Sequence, residues 1–247
     1  MLKFDFDLSK EERAKMHAIK PEAWFTRVSF RNAVSARHPE ADDLDANHDL
    51  KTKMIRPWIK SQVRNKRVLD LFCANGAFSF EAALAGAREV VGLEFSEERT
   101  ECARFISSTL AGRVDCAVPR FVAGDVYELN RSFNEPFDVV LCLGGLYHIP
   151  DPPFVLSQIR SLTAGALIVQ TSSVLPGRQN NATFVVRKDL RHRGLTSVVG
   201  GRGAWHYTAS CFENILQHAG FRVLESSRPP LLSRKRFPWY CALAQPV

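Results

Sequence analysis

Several kinds of chemistry have no residues to support them in this 247-residue chain. The six cysteines stand singly, with no C-x-x-C and no Cys/His pair at zinc spacing, so neither a metal site nor a disulfide framework is indicated. No apolar run approaches the ~18 residues of a membrane span. The opening MLKFDFDLSKEERAK carries acids where a signal peptide is apolar. There are no internal repeats and no low-complexity segment, and nothing demands a second folding unit. These absences predict a soluble, cytoplasmic protein in a reducing compartment, with no metal and no membrane partner. Cys142 and Cys241 read as small core residues, while Cys73, beside a turn, is expected to be an accessible thiol. The net charge of +7 permits an anionic partner without requiring one.

What the chain does contain is a βαβ unit from Arg67 to Phe95, RVLDLFCANGAFSFEAALAGAREVVGLEF. An apolar run ending in an acid (Val68, Leu69, Asp70, Leu71) meets a turn at Cys73, Ala74, Asn75 and Gly76. Helical period follows through Phe78, Ala82 and Leu84, and a second strand runs Val90 to Glu94. Such units bind ligands where the strand's carboxyl end meets the helix N-terminus. The G-x-G-x-x-G spacing of a dinucleotide site is not met, because Phe72 and Ala74 stand where glycines would and only Gly76 remains. Asp70, Glu94 and the later Asp125 in VAGDVYEL instead place carboxylates at strand ends. That suits a ligand with a ribose diol, an amine and a sulfonium, and repels two phosphates. S-adenosylmethionine is such a ligand.

With these residues the chain resembles the class I S-adenosylmethionine-dependent methyltransferases, whose first motif is usually D-x-G-x-G-x-G. Two of its three glycines are Phe72 and Ala74 here. VLDLFCANGAFSFEAALAGAREVVGLE followed by LGGLYHIPDP is similar to the branch containing tRNA wobble-uridine carboxymethyltransferases and many small-molecule methyltransferases. The resemblance implies an α/β fold, a Rossmann-like seven-stranded, mostly parallel sheet with helices on both faces and the last strand antiparallel. It implies a donor site made of Asp70, Phe72, Cys73, Ala74, Asn75, Gly76, Glu94, Phe95, Asp125, Val126, Leu143 and Gly144, with adenine against the loop holding Asp125. It also puts Lys51 near a lysine that, in the tRNA enzymes, helps to bind a carboxylated form of the cofactor.

The flanking segments give the remaining expectations. Residues 1–50 form an arm with a helix from Ser9 to about Ile19, capped by Ser9 and Glu12 and stopped by Pro21. Trp24, Phe25 and Phe30 make it either a lid over the site or a packing arm. A helix is expected over Asp49 to Ile59, and the methyltransferase domain over 51–247. Asp125 reads either as a group bonding adenine or as a helix cap. Gly144 and Gly145, at the end of the Phe137 to Leu143 strand, are expected to let a ligand approach the backbone. Tyr147 and His148 follow them as titratable groups beside the reacting methyl. Residues 174–206 read as a cap insertion, carrying Arg178, Arg187, Lys188, Arg191, Arg193 and Arg202 against Asp189 and the flexible Gly200-Gly201. It closes with Trp205, His206 and Tyr207, expected to stack on a planar substrate. Pro229-Pro230 and Arg234-Lys235-Arg236 separate the last two strands. The leading function is methyl transfer to an O or N atom of a small, planar or anionic metabolite, with His148, Tyr147 or His206 catalytic and Trp24, Phe25, Trp205 and Tyr207 around the substrate. A tRNA-modifying methyl- or carboxymethyltransferase is the alternative, and a non-catalytic cofactor-binding protein the third.

Overall fold

The computed structural model describes residues 1–39, 41–172, 179–186, 203–227 and 239–247, and of residues 41–51, 172 and 186 the backbone path alone. The Lys51 side chain, the cations between Arg178 and Arg202 with Asp189, Gly200 and Gly201, Pro229-Pro230 and the Arg234 to Arg236 triplet lie outside what is described.

The arm holds β1 (Leu2–Lys3), α1 (Lys10–Ala18), a 3-10 turn (Pro21–Ala23), β2 (Val28–Phe30) and β3 (Ala33–Val34). Ser9 caps α1, with the reciprocal Glu12 bond of a capping box. The small sheet β1-β2-β3 was not foreseen, its strands being only two or three residues long. Then come α2 (Ala41–Gln62), β4 (Arg67–Leu71), α3 (Ala77–Leu84), β5 (Glu89–Glu94), α4 (Glu97–Leu110), β6 (Arg120–Ala123) and the short α5 (Leu129–Ser132). The chain continues with β7 (Phe137–Leu143), α6 (Pro152–Leu162), β8 (Thr163–Ser172), β9 (Ala182–Val186), β10 (Gly203–Tyr207), α7 (Ala209–His218), β11 (Phe221–Ser227) and β12 (Trp239–Pro246). Helix α2 begins about two turns before the expected Asp49.

Seven strands form one sheet in the order β11-β12-β8-β7-β4-β5-β6. All pairings from β8 to β6 are parallel, and β12 runs antiparallel to both of its neighbours. This is the expected Rossmann-like sheet. Its strands are apolar because both faces are covered. Alternate residues point to two cores. Leu69, Leu71, Val140, Cys142, Leu167 and Val169 meet α5, α6 and α7, while Val68, Leu141, Leu143 and Ile168 meet α2 and α3. The order reverses between β4 and β7, since the chain moves outward through β5 and β6 from one and toward β8 from the other. A ligand crevice is expected at the carboxyl edge of that point.

The arm packs against α3, α4 and β6 as a third cluster, in which Phe4, Met16, Trp24, Val28 and Phe30 meet Phe80, Cys102, Ile106 and Phe121. One side chain clips it to the β4–α3 turn. Asn75, fully buried, accepts from the Thr26 N–H at 2.9 Å and donates through Nδ2 to the Thr26 carbonyl at 2.7 Å. Removing that amide leaves both Thr26 groups buried and unmet. Asn75→Ala is therefore expected to lower unfolding free energy by about 2–4 kcal/mol. A urea melt showing less than ~0.5 kcal/mol of loss would exclude the clip as a stabilising contact.

Candidate active site

The turn after β4 keeps a left-handed path although glycine is largely missing. Phe72 lies at φ 56°, Ala74 at φ 50° and Gly76 at φ 86°. A Cβ at Gly76 would approach the Phe121 ring to 2.5 Å, so only glycine fits there. At the other two positions, left-handed backbone costs about 1–2 kcal/mol per residue.

Glu94, at the end of β5, holds this turn. Its Oε2 accepts from the Ala74 N–H at 2.9 Å and its Oε1 from the Ser96 N–H at 3.1 Å, with the Arg99 guanidinium 3.9 Å away. Arg99 in turn lies over the Phe25 ring, and Phe25 meets His38 edge-on. Beside Glu94, Phe95 is 48% exposed, a flat apolar surface at the crevice. Asp70 is buried, accepts from the Ser79 hydroxyl at 2.6 Å, and is pushed up to about 7 by burial, with the nearby Glu94 charge adding to it. Asp125 caps the 3-10 turn Val126–Glu128, accepting from the Tyr127 N–H, so the cap expectation for this residue is met. Val126 is buried in the core.

Three expectations need correction. Cys73 is not an accessible thiol: it is buried, and burial holds its thiol well above its ordinary range. Gly145 does not open the strand end to a ligand, because the Phe72 ring fills that space, 2.0 Å from where a Cβ would lie. Gly144 is at φ 103°. Trp24 is 1% exposed and packs edge-on against Phe105, as the packing-arm reading required and the lid reading did not.

The turn after β7 meets the β9–β10 hairpin. Tyr147 and His148 have ring centroids 4.3 Å apart. His148 Nδ1 lies 3.3 Å from the Gly203 carbonyl oxygen. That oxygen can only accept, so a hydrogen bond there is donated by the imidazole. Trp205 Nε1 donates to the Pro150 carbonyl at 3.3 Å. Trp205, His206 and Tyr207 do not line one wall, since they occupy a strand and alternate. Trp205 and Tyr207 stack, with centroids 6.2 Å apart, toward the α6–α7 core. His206 is buried on the opposite face. Burial pushes the Tyr207 phenol up.

Sequence reasoning missed Gln170. It pairs in register with Leu143 and is fully buried, and neither its amide oxygen nor its nitrogen has a hydrogen-bond partner. Thr171 Oγ1 shares that condition. An amide two residues from the carboxyl end of an apolar strand was the only signal.

With this geometry in hand, comparison with known proteins is decisive on family. A family model described as a methyltransferase domain matches residues 62–202. The chain belongs to that family and carries an S-adenosylmethionine-dependent methyltransferase domain. The ubiquinone biosynthesis O-methyltransferase of Neisseria meningitidis is 26% identical over 157 residues, 64% of this chain and 59% of that protein. The tRNA U34 carboxymethyltransferase of Campylobacter hominis is 27% identical over 141 residues, 55% of this chain and 45% of that protein. The ribosomal RNA large subunit methyltransferase K/L of Psychrobacter cryohalolentis is matched over only 16% of its length; the chain thus spans less than two thirds of each of these relatives. Among solved structures, the N-terminal domain of EvdMO1 with SAH bound superposes with a TM-score of 0.68 at 18% identity, covering 98% of both chains. The magnesium protoporphyrin IX methyltransferase of Synechocystis PCC 6803 with bound SAM gives 0.64 at 18% identity, covering 98% of this chain and 99% of that one.

The buried acid makes a testable mark on stability. Asp70 has its carboxyl raised from 3.8 to about 7 in the folded domain. The native state therefore binds the proton more tightly than the unfolded chain, and the contribution is fully present below the lower value and lost as pH rises through the upper one. Against Asp70→Asn, which still accepts from Ser79, the wild type should lose stability steadily from pH 4 to pH 7 and run parallel above it. Parallel curves over the whole range, in denaturant melts at half-unit steps, would contradict a neutral buried Asp70.

Proposed function

We propose that this chain transfers a methyl group from S-adenosylmethionine to an O or N atom of a small, planar or anionic metabolite. The carrying observation is that the β9–β10 hairpin docks on the turn after β7 through His148 and Trp205, at the edge where the sheet order reverses. An acceptor held there lies beside a titratable ring and under a cap.

The residues fit the donor. Glu94 offers a carboxylate for the ribose hydroxyls, each oxygen keeping a second lone pair beyond its bonds to Ala74 and Ser96. Phe95 offers a flat exposed face for adenine. Glu94 gives the crevice negative character, favourable to an amine and a sulfonium. When bound, the donor supplies an electrophilic methyl. The chain's part is to align the acceptor with it and to exclude water, which supplies much of the rate enhancement. The His148 imidazole takes the acceptor's proton where one must leave, with Tyr147 and His206 as further polar groups. Gln170, with a donor and an acceptor both unmet, can hold a polar edge of the acceptor.

Calorimetry tests the donor site. Glu94→Gln, which keeps a side chain able to accept from Ala74, should weaken S-adenosylhomocysteine binding tenfold or more, the worth of one or two charge-assisted bonds. Unchanged affinity would remove Glu94 from the site.

A second reading, a tRNA-modifying methyl- or carboxymethyltransferase, is favoured by the basic stretch Arg187, Lys188, Arg191 and Arg193 and by the tRNA-modifying relative. The two readings differ in salt dependence. Neutralising several phosphates makes log affinity fall steeply with log salt, whereas a small metabolite gives a shallow line. We expect no tRNA binding with a slope steeper than about −4. Such a slope, lost on replacing those four cations, would establish the RNA reading.

A further inference from the structure

The two left-handed residues that replace glycine in the turn differ in what holds them. At Ala74 the conformation aims the N–H at the Glu94 carboxylate. At Phe72 it lays an aromatic ring against the backbone of Gly145. A ring in that place asks much of the local structure, with φ at 56° on one side and a residue without a Cβ on the other. Strain of this kind persists where function uses it. Phe72 immediately follows β4 and Gly145 is the second residue after β7, so the ring bridges the two strands between which the sheet order reverses. It is only half-buried, and two carboxylates, Asp70 and Glu94, stand on the adjacent strand ends.

We propose that the face of the Phe72 ring seats the sulfonium of the methyl donor and so reads its positive charge. The inference rests on the reading that S-adenosylmethionine binds at this edge, and adds to it a group that tells the charged donor from the neutral product. An aromatic face attracts a cation through its quadrupole. It offers the uncharged thioether of S-adenosylhomocysteine only apolar contact. Transfer of the methyl removes the charge from sulfur, so the same contact that favours donor capture weakens once the product has formed. Glycine, with no side chain, has no means of making that distinction, which accounts for a phenylalanine held at a backbone angle that glycine adopts without strain.

The test compares two ligands on one set of proteins by calorimetry: S-adenosylmethionine and S-adenosylhomocysteine against wild type, Phe72→Leu and Phe72→Tyr. Phe72→Leu keeps apolar bulk over Gly145 and loses the π face. It should weaken S-adenosylmethionine about fivefold to tenfold, the range of a partly desolvated cation–π contact, with S-adenosylhomocysteine changed less than about twofold. Phe72→Tyr should keep the wild-type ratio of the two affinities. Phe72→Gly, in which the strained backbone is relieved, should show the same selective loss as Phe72→Leu and guards against a leucine variant that folds poorly. Equal weakening of both ligands, or no change in either, would overturn the charge-reading role while leaving the donor site in place. A wild-type protein that bound neither ligand would overturn the donor reading as well.

Discussion

The bond between the Glu94 carboxylate and the Ala74 N–H is the constraint on which the crevice depends. It joins the end of β5 to the middle of the turn after β4, and it acts where the backbone is least comfortable, with Phe72 and Ala74 both left-handed. Two such residues cost about 2–4 kcal/mol together. A buried hydrogen bond to a charged group contributes about 1.5–3 kcal/mol, and Glu94 makes one to Ala74 and another to Ser96. The turn is further fixed by Cys73 N–H donating to the Leu93 carbonyl and by Asn75 gripping Thr26. The acid that the donor reading gives to the ribose thus also sets the shape of the floor beneath it.

That arrangement concentrates negative charge in a poorly solvated place. Asp70 and Glu94 are both buried, and low dielectric strengthens their repulsion. Burial holds the proton on the Asp70 carboxyl to about pH 7, with the Glu94 charge adding to it. A cation arriving at the edge relieves the repulsion and favours the ionised form, so on the proposed reading donor binding and proton release are linked. A dinucleotide's two phosphates would meet the same field with the opposite sign. The acid pattern excludes them more firmly than the lost glycines do.

Much of the sheet was legible because its strands are buried on both faces and so read as apolar runs, from Val68 through Leu143 to Ala244. Helix α1 announced itself through Ser9 and Glu12, whose bonds are local. The β1-β2-β3 sheet did not, because strands of two or three residues carry no period. The first turns of α2, ADDLDANH, are polar, and helical period is invisible without apolar residues to mark it. At the site, the acids at strand ends could be read from position alone, whereas contacts that cross the fold could not. Nothing local to LFCANG says that Phe72 will lie on Gly145, or that Cys73 is enclosed by Phe121 and Gly92. Trp205, His206 and Tyr207 looked like one aromatic wall only until they proved to be a strand, whose alternation sends them to opposite faces.

On the proposed reading, that alternation decides which part of β10 can meet an acceptor. Trp205 and Tyr207 are committed to the α6–α7 core, where Tyr207 meets Phe212, itself against Tyr240, and Tyr240 donates from its hydroxyl to Glu213. A planar substrate sandwiched between those two rings would have to displace core packing. The opposite face of β10 carries Ala204 and His206, and Gly203 at its start is the residue His148 contacts. On the proposed reading the acceptor therefore meets a backbone and imidazole surface rather than an aromatic one. Polarity in the substrate is then favoured by Gln170 and the two histidines. Specificity would lie in hydrogen bonds, and a buried polar group left unmet by the wrong ligand rejects it more strongly than a missing apolar contact does.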